Sequence, residues 1–585
     1  MFQKSFKIYS SMEKVMLEKM PICEELEKAS ILKNERFSFQ IAYELMRGTN
    51  ARIYPVSFEI KSELKEYISV NYVEHIPSQM PLYPGCKDDS VISDKPGFYP
   101  DALLPLKDNV IYPHRGMCDT LWFTIDTNGK VGAGVYEITV EFTYRQNATN
   151  EGETDVVHVA VKTLYLEIID ALLPEQDLVF AQWFHCDCLA SYYKVEAFSE
   201  KHWEIIENFM TVGVKNGHNV IFTPVFTPPL DTKVGGERPT VQLLDIYIND
   251  GKYSFNFDKL ERWIKLSQRI GYKYFEMPHL FTQWGAEFCP KIMANVDGEY
   301  KKIFGWENKS TSPEYREFLA NYLPAITSYM ENKGLKERTF FHYSDEPREH
   351  HIENYKMAKA GAEKYLEGWT VTDALSDYEY YEQGLVKNIV ASCRRSSKFL
   401  ENKVENLWVY YCGGHEDYYS NRLFAYPLWR TRILGILLFK NNIKGFLHWG
   451  YNFYFDEFST RVLNPYHISD AARAFPSGDS YSVYPGDNGE CFESIRLVSF
   501  YEAIQDMRAL QLLSSLIGKE NVCNLIDDIA GMNLSFIRYP GNAYYIQTLR
   551  RRVNELIKQS MLNKEPIKVD ANEQWGEQYA NYKYR

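Results

Sequence analysis

The chain has 585 residues, 45% of them hydrophobic and 24% charged, values that exclude a disordered or fibrous class and leave room for several globular domains. Its 65 Lys and Arg against 78 Asp and Glu give a formal net charge of −13, which argues against a nucleic-acid partner, because binding to phosphate is driven by basic surface. The opening stretch MFQKSFKIYSSMEKVMLEKM carries charges throughout, and no apolar run is long enough to span a bilayer. Neither membrane insertion nor a signal peptide is therefore expected, and the chain reads as cytoplasmic, or released without a recognisable leader. The ten cysteines include no CxxC pair, so free thiols are expected rather than a zinc or redox motif. Oligomeric state is not readable.

To about Asp170 the chain reads as all-β. RFSFQIAY (Arg36 to Tyr43), DTLWFTID (Asp119 to Asp126), VYEITVEFTY (Val135 to Tyr144) and VVHVAVKTLYLEII (Val156 to Ile169) alternate apolar and polar residues. Asn128-Gly129 and Glu151-Gly152 mark turns between them, so a β-sandwich is predicted. Pro77 to Pro113 is Pro-rich and reads as an irregular segment reaching over a neighbouring domain, and Asp170 to Asp177 as a linker.

From Leu178 short apolar strands alternate with amphipathic helices, the pattern of parallel βα units. Eight strands are predicted: Leu178 to Phe184, Asn219 to Phe226, Tyr272 to Pro278, Arg338 to Ser344, Gly368 to Ala374, Asn388 to Cys393, Leu407 to Cys412 and Gly445 to Tyr451. Helices are predicted over Lys201 to Val214, Asp258 to Ile270, Ser312 to Lys333, His351 to Leu366 and Pro427 to Asn441. The connection after the second strand holds a hairpin turning at Asp250 and Gly251, and the long one after the third holds Trp284 and Trp306. A long helix is predicted over Ser494 to Gly518. The fold class is a multidomain α/β protein: an N-terminal β-sandwich (1–172), a (β/α)8 TIM-type barrel (173–515) and a C-terminal helical extension (516–585).

The chemistry concentrates in RTFFHYSDEPRE, Arg338 to Glu349. A strand runs into two adjacent carboxylates, Asp345 and Glu346, and Pro347 cannot donate to a sheet ladder, so pairing stops there. In a parallel barrel the C-terminal strand ends build the active site. Ser-Asp-Glu-Pro is also how a helix begins, so capping is the competing reading. Side chains alternate along a strand, so both carboxylates reach one pocket only if the backbone bends. Glycosidases whose two carboxylates flank the sugar ring normally take them from different strands; sequence neighbours suit a substrate that carries its own nucleophile, such as a 2-acetamido oxygen. Glu346 is then the acid/base, and Asp345 the anion that orients the acetamido N–H.

Other strand ends offer sugar contacts: Trp183 and His185, His279, Asp373, Tyr410 and Tyr411, and His448, Trp449 and Tyr451. Tyr and Trp suit the donor and the apolar wall such a site needs, with Trp449, Tyr411 and Asp373 the leading candidates. His185, His279, His342 and His448 near strand ends motivate an alternative, a metal-dependent barrel hydrolase. A second alternative is a non-catalytic glycan-binding protein.

FHYSDEP at the fourth strand, NERFSFQIAY in the sandwich, KGFLHWGYNFY at the eighth strand and YSVYPGDNGECFESIRL after it together resemble glycoside hydrolase family 123, the β-N-acetylgalactosaminidases. The resemblance runs from about Asn34 to about Gln511, and YPGDNGECFESIRL departs from it in lacking a tidier Gly-Pro-Ser-rich turn. It implies a sandwich ahead of a catalytic barrel, with Asp345 and Glu346 working by a substrate-assisted, retaining route and no cofactor or metal. The implied partner is a glycan ending in β-linked N-acetylgalactosamine, including glycosphingolipid glycans.

Overall fold

The computed structural model describes residues 4–45, 55–114, 116–147, 154–230 and 235–562; the predicted turn at Glu151-Gly152 lies outside them. The N-terminal part is two five-stranded sheets. One runs in the order Lys4–Ser10, Arg36–Leu45, Cys118–Asp126, Ile68–Ser78, Gly97–Pro105, and the other Lys28–Leu32, Thr154–Ile169, Gly134–Asn147, Val56–Lys61, Val110–Ile111. Alternation decides which face is buried. In Val56–Lys61, Val56, Phe58 and Ile60 point inward while Ser57, Glu59 and Lys61 point out. The inward faces of both sheets share one core, in which Phe39 stacks on Phe123 at 4.8 Å and Phe6 packs on Phe142 at 4.5 Å. Asn128 and Gly129 take the left-handed conformation that their turn requires.

The stretch Pro77 to Pro113, predicted irregular, contains the strands Gly97–Pro105 and Val110–Ile111. Its prolines mask them, yet Gly97–Pro105 is an edge strand, where a missing N–H interrupts no further ladder. The part before it does cross barrel loops. Tyr83 N–H donates to Glu416 (2.8 Å), Ile92 N–H to the Ala425 carbonyl (2.9 Å), and Asp88 pairs with buried Arg430.

The second part is a closed barrel of eight parallel strands in sequence order: β1 Val179–Gln182, β2 Val220–Phe222, β3 Tyr274–Glu276, β4 Thr339–Phe341, β5 Thr370–Leu375, β6 Asn388–Ser392, β7 Trp408–Tyr410 and β8 Gly445–His448. Every predicted strand is present and shorter than predicted, since apolar patterning continues into loops that the barrel buries.

The outer helices are uneven. Glu200–Lys215 and Pro313–Asn332 are long, with Ser199 and Ser312 as N-caps accepting from His202 N and Tyr315 N. The helix predicted over His351 to Leu366 stops at Lys359, and a 3-10 turn follows Gly361. That predicted over Pro427 to Asn441 runs as Leu428–Arg432 and Leu434–Lys440. The connections after β5 and β6 hold helices of only 4 and 5 residues. Ile495–Ile517 lies against Leu434–Lys440 so closely that a Cβ on Gly435 would sit 1.8 Å from the Ala503 carbonyl oxygen.

Beside the barrel mouth the two long connections join. The hairpin Asp245–Asn249/Lys252–Asn256 turns at Asp250 and Gly251 and pairs in parallel with Ile292–Val296, which turns back into Glu299–Phe304. Helices Lys519–Ala530 and Ala543–Leu562 complete the described chain, in which no helix is long and apolar enough to cross a membrane.

Candidate active site

On its β3 side the segment after β4 stays paired: Leu280 N–H donates to the His342 carbonyl (3.0 Å) and Phe281 N–H to that of Tyr343 (2.9 Å). On its β5 side the regular ladder ends, and one side chain and one irregular backbone bond replace it. Tyr343 N–H donates to Asp373 Oδ1 (2.9 Å), and Glu346 N–H reaches the Ala374 carbonyl (2.9 Å). Glu346 has φ +44°, a left-handed conformation that costs a side-chain-bearing residue about 1–3 kcal/mol. This is the bend that two carboxylates adjacent on a strand need if they are to share one side. Ser344 donates its hydroxyl to the Thr282 carbonyl, and the turn Glu349–His351 has Arg348 at its N-cap, so the helix-capping reading of the pair does not hold.

Asp345 and Glu346 are both half-buried. The Tyr410 hydroxyl donates to Glu346 Oε1 at 2.5 Å; burial, then the Glu346 charge, pushes this phenol well above its ordinary 10. Burial also raises the Cys412 thiol, followed by the charges of Glu346 and Asp479, with Asp345 adding to them. The end of β7 thus feels the charge of all three carboxylates. Asp479 is buried; its Oδ2 accepts the Trp449 indole N–H (3.1 Å), and burial lifts it to about 6 against the opposing pull of Arg422.

Beneath the pair lies a buried polar chain. Glu276 Oε1 accepts from His342 Nε2 (2.8 Å) and from Trp183 Nε1 (2.9 Å). His342 Nδ1 lies 3.5 Å from Asp373 Oδ1, an ion-pair distance, and Asp373 Oδ2 accepts the Tyr355 hydroxyl at 2.5 Å. Burial alone would lower the His342 pKa, but Asp373 and Glu276 outweigh it and raise it to about 9. An imidazolium between two carboxylates satisfies the rule that buried charges are paired.

The residues predicted at the rim fall into separate groups. Tyr410 and Trp449 line the barrel interior near the pair, Trp449 partly exposed and packed on Phe453 and Phe475 at 5.1 Å each. Trp183, His279 and Asp373 lie deeper. His279 stacks on His342 at 4.5 Å with neither ring nitrogen hydrogen-bonded, and both oxygens of Asp373 are engaged by protein donors. His185 and His448 brace loops: His185 Nε2 donates to the Trp449 carbonyl (2.8 Å) and Nδ1 accepts from Arg238 (3.1 Å), while His448 Nδ1 accepts from Arg422 (2.9 Å). Tyr411 packs on Phe446 and Phe500 outside the barrel wall, and Tyr451 donates to the Phe209 carbonyl at 2.8 Å.

Among the described residues no group of three or more His, Cys, Asp or Glu side chains could hold a metal ion. Two buried carboxylates escaped the sequence reading. Glu276 was findable, as the acidic residue that ends the third strand in YKYFEMP; Asp479 lies in a loop well past β8 and gave no signal.

A family model for the catalytic domain of glycoside hydrolase 123 matches residues 183–513. No curated protein matches the sequence. Among solved structures, a family 123 glycoside hydrolase from Clostridium perfringens, studied for the details of glycolipid glycan hydrolysis, is similar over 96% of this chain and 98% of its own, with TM-score 0.69 and 15% identity. At that identity the likeness speaks for the fold. A fimbrial subunit, AggA of Escherichia coli, matches over 29% of this chain and 95% of its own at TM-score 0.16 and 7% identity, and carries no argument. With more than half of the chain inside the family model, the protein is a glycoside hydrolase and belongs to family 123.

Proposed function

We propose that this glycoside hydrolase releases terminal β-linked N-acetylgalactosamine from glycans, such as those of glycosphingolipids, with retention and with help from the substrate's own acetamido group. The observation that carries the reading is the left-handed bend at Glu346, which supports a common orientation for two carboxylates that a straight strand would send to opposite faces. In the proposed cycle Glu346 gives its proton to the leaving oxygen while the acetamido carbonyl oxygen attacks C1, closing an oxazolinium ring. Asp345 takes the acetamido N–H and balances the developing positive charge. Water then opens the ring, with Glu346 accepting its proton. Tyr410 holds Oε1 of Glu346 and leaves Oε2 for the proton, and Trp449, tethered by Asp479, supplies an apolar wall.

Initial rates on paired aryl β-glycosides of N-acetylgalactosamine and galactose, for wild type and Glu346→Gln, test this. Cleavage of the acetamido sugar alone, lost in the variant, is expected; equal cleavage of both sugars would require a protein nucleophile and overturn the route. Asp345→Asn should lower kcat far more than it raises KM, because its charge matters most as the ring becomes positive.

A further inference from the structure

Trp284 stands in the connection after β3 with about half of its surface exposed (51%) and φ +58°. A bulky residue in that region is a real outlier, and the next two residues continue it: Gly285 has φ +127° and Ala286 φ +57°. The turn is held by the segment that carries the carboxylates. Trp284 N–H donates to the Asp345 carbonyl (2.9 Å), Asn354 Nδ2 donates to the Gly285 carbonyl at 2.5 Å, and a Cβ on Gly285 would meet the His351 ring at 3.0 Å. A single exposed tryptophan needs no explanation by itself. A tryptophan kept in a strained conformation, by a bond to the main-chain carbonyl of one of the two acidic residues, does.

We propose that Trp284 is the stacking platform for the unit on the leaving side of the scissile bond, a pyranose or an equally flat apolar group. The proposal rests on the glycosidase reading above. The terminal sugar belongs between the carboxylates, Tyr410 and the partly buried Trp449, and its leaving oxygen faces Glu346, which protonates it. The Trp284 turn is bonded through its backbone to the neighbouring residue, Asp345, so the exposed indole stands within reach of the unit beyond that oxygen and offers the apolar face on which the C–H side of a sugar packs. Fastening the turn to Asp345 also ties the platform's height to the carboxylates. Recognition of the leaving unit is then registered against the chemistry, and remote binding energy of this kind serves orientation at the reacting centre.

The test compares two substrates: methyl β-N-acetylgalactosaminide, whose leaving group is too small to stack, and an oligosaccharide with the same terminal sugar on two further sugar units. Trp284→Ala is expected to lower kcat/KM on the oligosaccharide about 10-fold and to change it less than about twofold on the methyl glycoside, with Trp284→Phe restoring most of the loss. Equal losses on both substrates would place Trp284 against the terminal sugar, and no loss on either would make it ordinary surface; each overturns the proposal. Indole fluorescence titrated with the leaving disaccharide alone gives a readout independent of turnover. Quenching in wild type that disappears in Trp284→Ala supports the platform, and identical titrations overturn it. Should wild type cleave neither substrate, the glycosidase reading fails and the fluorescence arm still decides the platform.

Discussion

Tyr410 and Tyr411 show what one residue of register does. Tyr410 faces the barrel interior and donates to Glu346, whereas Tyr411 packs outside on Phe446. The sequence named both, since alternation says that only one points inward but not which. The place of Asp345 and Glu346 at a strand end was legible because Pro347 stops the pairing, and the bend that sharing one pocket requires is present as the left-handed conformation of Glu346. Asp479 was not legible, because a carboxylate that reaches its partner across a long loop leaves no local pattern. Tyr410→Phe should lower kcat on an aryl N-acetylgalactosaminide by about 10-fold with little change in KM, the effect of removing a hydrogen bond to a charged group. An unchanged kcat would leave Tyr410 a packing residue.

At the scale of elements, β3, β4 and β5 were each predicted, and what holds their ends together was not. Patterning reports which residues are buried, while Glu276, His342 and Asp373 are polar residues buried against that pattern and satisfied by one another and by Trp183, Tyr343 and Tyr355. His342 charges in the folded protein with a pKa near 9, against an ordinary 6.5. A basic group whose pKa is raised on folding stabilises the fold fully below its unfolded pKa, and that contribution is lost as pH rises through the folded value. Thermal stability should therefore decline between pH 6.5 and 9. In Glu276→Gln one carboxylate is gone, the folded pKa moves back toward 6.5, and the pH-dependent decline should shrink over the same window even though the variant is less stable throughout. A decline of unchanged size would mean that His342 is neutral in the wild type.

At the scale of the whole molecule, the alternation of the first part and the βα rhythm of the second announced both parts, and the Pro-rich stretch Pro77 to Pro113 announced that they touch, but not the buried ion pair within that stretch that joins them. Arg496, on the helix Ile495–Ile517, is fully buried and clamps Asp101 of the sandwich edge strand at 2.7 and 2.8 Å, and Asp101 also accepts from Tyr484. Around this pair Val73, Leu103 and Trp122 of the sandwich meet Leu428, Ile495 and Val498. Arg496 Nη1 further donates to the Gly478 carbonyl at 2.8 Å, next to the Asp479 that tethers Trp449. Removing one member of a buried ion pair costs about 3–5 kcal/mol, because the other charge stays buried, whereas replacing both with apolar residues is often close to neutral. Arg496→Met should thus lower the thermal midpoint sharply, and Asp101→Leu combined with Arg496→Met should recover much of that loss. Activity should separate the two effects. The double variant regains stability but still lacks the donor to Gly478, so kcat should stay depressed while the melt recovers. Recovery of both together would mean that the seam supports the fold without reaching the site.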